Sequence, residues 1–170
     1  MSESISAATT ASDYEAFGGL VREYVDWCRE RYQEHPWIVE EVFGHQSLDH
    51  ELQSLAETYG PPRGKTLLAW RDGKACGGGA YRRLDDGTVE MKRLFISTRF
   101  QGKGTGRRLC DALIESVRAE GCSLIRLDTG NLFTEAIAMY KSIGFRNCPP
   151  HRHYPERLLP HLVFLELPLK

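Results

Sequence analysis

The sequence predicts an α+β fold: a mixed, mostly antiparallel central sheet of six to seven strands flanked by about four helices. Three observations predict it. Apolar residues recur at helical spacing through most of residues 13–59. Two Asp-Gly turns then join three strand-like runs between residues 65 and 96. After residue 96 the period alternates between helix and strand to the end of the chain.

Residues 13–32 read as the first helix, with Phe17, Leu20, Val21, Tyr24, Val25, Trp27 and Cys28 at roughly helical spacing. Gly18-Gly19 weaken its start and His35-Pro36 end it. Residues 1–12 read as a tail, with a weak strand signal at 4–8. A second helix is expected over 48–59, capped by Ser47 or Asp49 and stopped by Gly60-Pro61-Pro62. Residues 65–71 are strand-like, Asp72-Gly73 turns the chain, and 74–84 return with Gly77-Gly78-Gly79 inside. Asp86-Gly87 makes a second turn before the strand at 88–96.

Residues 107–120 form an amphipathic pattern with Leu109, Leu113, Ile114 and Val117 on one face and Gly121 as C-cap. An apolar strand is expected at 123–128. A helix capped by Thr134 covers 135–143 and ends at Gly144, and a closing strand covers 161–167. Strand, helix and strand between 89 and 128 imply a right-handed parallel crossover. All of this fits one domain, 1–170.

Composition narrows the function. Lys plus Arg total 22 and Asp plus Glu total 23, a net charge of -1, which argues against bulk nucleic-acid binding. No apolar run approaches the roughly 20 residues of a membrane span, and residues 1–12 lack the features of a signal peptide. The five cysteines, Cys28, Cys76, Cys110, Cys122 and Cys148, show no CxxC spacing, so neither a disulfide frame nor a zinc site is expected. Scattered reduced thiols fit a cytoplasmic location.

The chemistry concentrates in Arg99-Phe100-Gln101-Gly102-Lys103-Gly104-Thr105-Gly106-Arg107, between a strand and a helix. A helix N-terminus offers unpaired N–H groups and partial positive charge, and glycines let the backbone approach a ligand closely. With Lys103, Arg107 and Arg108 beside it, the turn reads as an anion site suited to a pyrophosphate. A P-loop would require GxxxxGK[ST], which is not supplied. A dinucleotide turn requires GxGxxG at the end of a first parallel strand. Here the spacing is GxGxG, five residues follow Ile96 before Gly102, and the preceding strands are antiparallel, although Asp128 lies near the distance of a ribose-binding acid. A turn that merely caps a helix would not need three alternate glycines beside basic residues.

These residues resemble the GCN5-related N-acetyltransferase (GNAT) superfamily, whose motif [Q/R]-x-x-G-x-[G/A] reads here as Gln101-Gly102-Lys103-Gly104-Thr105-Gly106. Val89 to Ile96 resembles the family's fourth strand, and Ala136 to Phe145 its A-x-x-x-Y-x-x-x-G-F segment. The resemblance covers about residues 65–167. It implies the acyl-CoA N-acyltransferase fold and acetyl-CoA as acyl donor, with no metal. The pantetheine arm would lie between splayed fourth and fifth strands, paired with the backbone of Leu94, Phe95 and Ile96. The N–H groups of Gln101, Gly102, Lys103, Gly104, Thr105, Gly106 and Arg107 would hold the pyrophosphate, and Asn131 would touch the cofactor. Amides near the splay would polarise the thioester carbonyl.

An amine acceptor arrives mostly as ammonium, and removing that proton at pH 7 costs roughly 4–5 kcal/mol for a pKa of ~10.4. The resemblance makes Glu90 the candidate general base and Tyr140 the general acid for the departing thiolate. Strand alternation places Glu90, Lys92 and Leu94 on one face and Met91, Arg93 and Phe95 on the other. The plain alternative for Glu90 is an exposed strand glutamate paired with Lys92 or Arg82. The expected reaction is direct transfer, since no cysteine sits in a nucleophile motif.

His151, Arg152, His153 and Tyr154 form a polar cluster that reads as a loop near the acceptor site, as plain surface, or, less readily, as a metal pair. Glu23, Glu30, Glu40 and Glu41 read as a solvated face or as an attractor for a cationic acceptor. Trp27, Tyr32 and Trp37 fit either core or pocket wall. The rival functions are a non-catalytic acyl-CoA-binding module and a nicotinamide-dependent enzyme. Polyamine, antibiotic, amino acid and protein lysine all stay open as acceptors. Dimers are frequent in the family, so the resemblance allows a homodimer.

Overall fold

The Thr10 hydroxyl accepts the Asp13 amide and the Asp13 carboxylate accepts the Thr10 amide, both at 3.1 Å. This reciprocal cap starts α1 (Ala11–Arg31), two residues before the predicted start. The computed structural model describes residues 2–170, the side chains of His45 and Gln46 excepted. Pro36, read as a terminator, also opens α2 (Pro36–Phe43), because proline suits the first position of a helix. The predicted helix over 48–59 is instead α3 (His45–Gln53) and α4 (Leu55–Tyr59). They divide at Ser54, whose hydroxyl donates to the His50 carbonyl at 2.8 Å.

The tail signal resolves as β1 (Glu3–Ala7), paired antiparallel with β2 (Gly64–Arg71). The two Asp-Gly turns deliver the expected meander of β2, β3 (Lys74–Arg83) and β4 (Thr88–Ile96). Then come α5 (Thr105–Ala119), β5 (Leu124–Gly130), α6 (Thr134–Ile143), β6 (Arg146–Asn147) and β7 (Leu162–Pro168). The seven strands run in the order β1-β2-β3-β4-β5-β7-β6. Of the pairs, only β4 with β5 is parallel.

Helices cover both faces. Leu109, Leu113 and Val117 of α5 pack with Tyr81, Val89 and Ile125 on one side. Phe17, Leu20 and Val21 of α1 pack with Leu68 and Ala80 on the other. The glycines of β3 permit this close approach. A Cβ on Gly78 would lie 3.0 Å from the Phe17 ring, and one on Gly79 would lie 3.0 Å from Leu113.

Two irregularities make room for a site. The β3–β4 register passes from Gly78↔Phe95 to Ala80↔Lys92, so Arg93 and Leu94 together oppose Gly79. Arg93 sits at this bulge with φ 60. The second irregularity is that β4 and β5 pair only at Thr88↔Leu124, Val89↔Ile125 and Glu90↔Arg126. Beyond that point they part, while β3 and β7 continue to hold their outer edges.

The bulge corrects the predicted alternation. Leu94 joins Met91 on the α5 side, and Arg93 and Phe95 turn with Glu90 toward the opposite layer. An inserted residue shifts strand parity by one, so every side chain after Lys92 changes face.

Candidate active site

The parted strands enclose a cavity of about 490 Å³, lined by Lys92 through Ile96 on β4 and by Leu127 through Gly130 on β5. Its far wall is aromatic. The rings of Trp27 and Phe133 stack at 4.7 Å between centroids, and Tyr24 lies 5.4 Å from Phe95. Trp27 and Tyr32 therefore belong to the pocket wall. Trp37 lies outside it, against His161 and the Arg157 guanidinium.

At one end of the cavity is the glycine turn. Glu23 accepts the Ser97 hydroxyl at 2.8 Å and the Thr98 amide at 3.2 Å, which ties the end of β4 to α1. The Gln101 side chain donates to the Ile96 carbonyl at 2.9 Å, folding the turn back on the strand. Gly102 and Gly104 adopt φ 77 and 81, a left-handed conformation that glycine reaches without penalty. The first amide to bond back into α5 is that of Arg108, to the Gly104 carbonyl. Among the described residues, no acceptor pairs with the N–H groups of Gly102, Lys103, Gly104, Thr105, Gly106 or Arg107. All but Lys103 line the cavity, as does Gln101.

Glu3 of β1 braces this turn from behind. It accepts the Thr105 hydroxyl at 2.6 Å and the guanidinium groups of Arg108 at 2.8 Å and Arg71 at 2.7 Å. The Thr105 hydrogen bond, joined by the two arginines, holds the Glu3 carboxyl down at about 2. The N-terminal strand thus supports the glycine turn.

Tyr140, on α6, lines the cavity and packs edge-on against Phe145 with centroids 5.3 Å apart. Among the described residues its hydroxyl has no hydrogen-bond partner. Burial pushes its pKa above the ordinary value of 10, and Cys110 adds to the effect. Cys28 also lines the cavity, but burial pushes its thiol up to about 12, which disfavours a thiolate nucleophile.

Glu90 does not line the cavity. Its carboxylate is 0% exposed and accepts Arg82 Nε at 3.0 Å, with His151 Nε2 at 2.8 Å and Arg152 at 3.2 Å. Burial alone would raise its pKa; the His151 hydrogen bond and the charges of Lys92, Arg152 and Arg82 overcome this and hold it at about 2. Glu90 is thus paired with Arg82, as in its plain alternative, but is buried where that alternative had it exposed. Asn131 also lies off the cavity lining, its side-chain oxygen taken by the Tyr32 hydroxyl at 3.1 Å.

In the polar loop after Pro150, Arg152 and His153 are exposed while His151 and Tyr154 are partly buried. The His151 side chain is 1% exposed against Glu90, and Tyr154 donates to Asp128 at 2.5 Å. Arg152 bridges Glu90 and Asp128. Donor atoms of Glu90, Asp128 and His151 do lie within 4.8 Å of one another. Arg82 and Arg152 contact these carboxylates and Lys92 adds a third positive charge nearby, so cations of the chain already offset their negative charge.

Sequence reasoning missed two cavity residues, Lys92 as a site residue and Asp128 as anything but a ribose ligand. Each stands two positions past the last β4–β5 pair, Glu90↔Arg126. Their place beyond the splay was the signal that would have found them.

Fold and cleft together define an acyl-CoA-dependent N-acyltransferase. The family model described as "Acetyltransferase (GNAT) family" matches residues 19–145, and the chain belongs to that family. An uncharacterized N-acetyltransferase of Schizosaccharomyces pombe is 33% identical over 171 residues, covering 96% of this chain and 93% of its own. An IAA acetyltransferase of Azospirillum brasilense is 35% identical over 121 residues, 70% of this chain and 74% of that one. Among solved structures, a GNAT-family acetyltransferase of Staphylococcus aureus superposes with a TM-score of 0.76 at 18% identity, covering 99% of this chain and all of that one. None of the described helices is long and apolar enough to cross a membrane.

Proposed function

We propose that the protein transfers the acetyl group of acetyl-CoA to a primary amine by direct attack within the cleft between β4 and β5. One observation carries this reading. A single cavity is lined by the turn with unpaired amides, the parted stretch of β4, Tyr140 and Asp128.

In this reading the pyrophosphate sits on the amides of residues 102–107. The pantetheine arm lies along Leu94, Phe95 and Ile96 like an added strand. The bulge at Arg93 exposes backbone next to the thioester, where an amide would stabilise the developing oxyanion. The amine attacks the thioester carbonyl, the C–N bond forms, the C–S bond breaks, Tyr140 hands its proton to the leaving thiolate, and the surplus proton on the new amide nitrogen restores the phenol. Burial keeps that phenol protonated at neutral pH.

The ammonium proton needs an acceptor facing the cavity. Asp128 faces it and Glu90 does not. We therefore assign proton uptake to Asp128, directly or through a water, and a positioning role to Glu90, which anchors His151 and Arg152. Asn131 is assigned a similar indirect role through Tyr32.

A thermal-shift series with acetyl-CoA, CoA, NADH and ATP tests the donor. A ligand at about 100 times its Kd adds ~2.7 kcal/mol of stability. Acetyl-CoA and CoA are expected to raise the melting temperature. A shift with NADH and none with acetyl-CoA would sink the proposal. Release of CoA thiol over an amine panel then tests transfer itself.

A further inference from the structure

We infer that the acceptor is an aminocarboxylate, an amine bearing a carboxylate on the same short frame, with Lys92 holding the carboxylate and Asp128 facing the ammonium. This rests on the reading of the cleft as an acetyl-transfer site and adds the class of acceptor.

The inference begins with Lys92. Lys92 is among the residues that line the cavity, and among the described residues it has no hydrogen-bond or ion-pair partner. The carboxylates near it are already committed. Glu90 is held by Arg82, His151 and Arg152, Glu51 by Arg93, and Asp128 by Tyr154 and Arg152. Burial, helped by the Arg93 charge, lowers the Lys92 pKa to about 8, while Asp128 and Glu90 pull the other way. A buried ammonium with no partner is unfavourable unless the ligand supplies an anion.

The position argues for the acceptor's anion. Lys92 lies four residues before Ile96, about 10–13 Å along the strand from the end that leads into the glycine turn. It stands instead at the first open step of the cleft. Glu90 and Arg126 pair in parallel register, so Lys92 and Asp128, each two residues on, project to the same face. Lys92 offers positive charge and Asp128, whose Oδ2 is held by Tyr154 and Arg152, offers its second carboxylate oxygen, side by side at that step. An amine and a carboxylate on one short frame present the complementary pair. A polyamine would meet Lys92 with like charge.

The test uses the full chain, acetyl-CoA, and a set of L-amino acids, each paired with its α-carboxamide. The carboxamide's amine is the more readily deprotonated, so intrinsic reactivity runs against the expected preference. The wild-type protein is expected to favour the amino acid in kcat/KM by about tenfold to a hundredfold, the scale of one charge-assisted hydrogen bond. Lys92→Met should erase that preference by raising the KM for the amino acid, leave the KM for acetyl-CoA unchanged, and let Lys92→Arg restore part of it. Equal use of acid and amide by the wild type overturns the inference, while acetyl transfer itself stands. So does a Lys92→Met variant whose kcat falls equally for both members, which would instead place Lys92 on the thioester oxygen. Failure to bind acetyl-CoA overturns both this inference and the reading beneath it.

Discussion

Arg93 donates two hydrogen bonds to Glu51, each 2.9 Å long, from a backbone held at φ 60. The pair is largely buried, with the Arg93 side chain 14% exposed and its guanidinium 4.9 Å from the Phe43 ring. A left-handed, branched-off residue costs roughly 1–3 kcal/mol and persists only where its surroundings over-determine it. The fork of Arg93 on the Glu51 carboxylate supplies that constraint and ties the β4 bulge to α3.

Removing the partner strands a buried guanidinium. Glu51→Gln is therefore expected to lose about 3–5 kcal/mol in chemical denaturation. It should also raise the KM for acetyl-CoA, because the bulge exposes the backbone that the pantetheine arm would pair with. A loss under 1 kcal/mol, with KM unchanged, would show that the bulge holds its shape without this pair.

Tyr140→Phe removes the proposed acid and keeps the ring that packs on Phe145. The expected result is a kcat lower by about a hundredfold to a thousandfold, with acetyl-CoA binding retained. Because burial raises the phenol's pKa above its ordinary value, the wild-type rate should show no alkaline decline from this group below pH 10. Steady-state kinetics of both proteins across pH would reveal either departure.

Glu90 carries an acid-stability signature. Its folded pKa, about 2, lies below the ordinary glutamate value of 4.5, so the stability it contributes is fully present above about pH 5. That stability declines as pH falls from about 5 to 2, and its size is on the order of 3 kcal/mol at most. Glu90→Gln should flatten the pH dependence of unfolding across that window while lowering stability at neutral pH. An unchanged slope between pH 5 and 2 would remove Glu90 from the account.

Gly104→Ala tests the turn. Its φ of 81 strains any side chain, and a Cβ would lie 2.9 Å from the Arg108 guanidinium. The expected outcome is a modest stability loss of about 1 kcal/mol and a clearly raised KM for acetyl-CoA, measured with the acceptor saturating. An acetyl-CoA affinity equal to the wild type would argue that the pyrophosphate lies elsewhere.

Much of this molecule is written locally. Apolar spacing marks α1 and α5, Asp-Gly turns mark the meander, and three alternate glycines before a helix mark the amide-rich turn, since each signal arises from neighbours within a few residues. The N-terminal strand and α2 were less legible. One is short, and the other begins at a proline that equally well ends the helix before it.

Tertiary structure alone decided the electrostatics of the cleft. Glu90 looks like a base in sequence, yet His151, 61 residues away, and Arg152 bury and pair it. Arg93 looks like the alternate face of a strand, yet its pairing with Glu51, 42 residues earlier, accompanies a bulge that flips the residues beyond it. The sequence by itself determined the family, the sheet and the glycine turn, because turn geometry and apolar periodicity are short-range. Which charges end up paired, and that Lys92 ends up without a partner among the described residues, depended on contacts between distant segments, which no local pattern encodes.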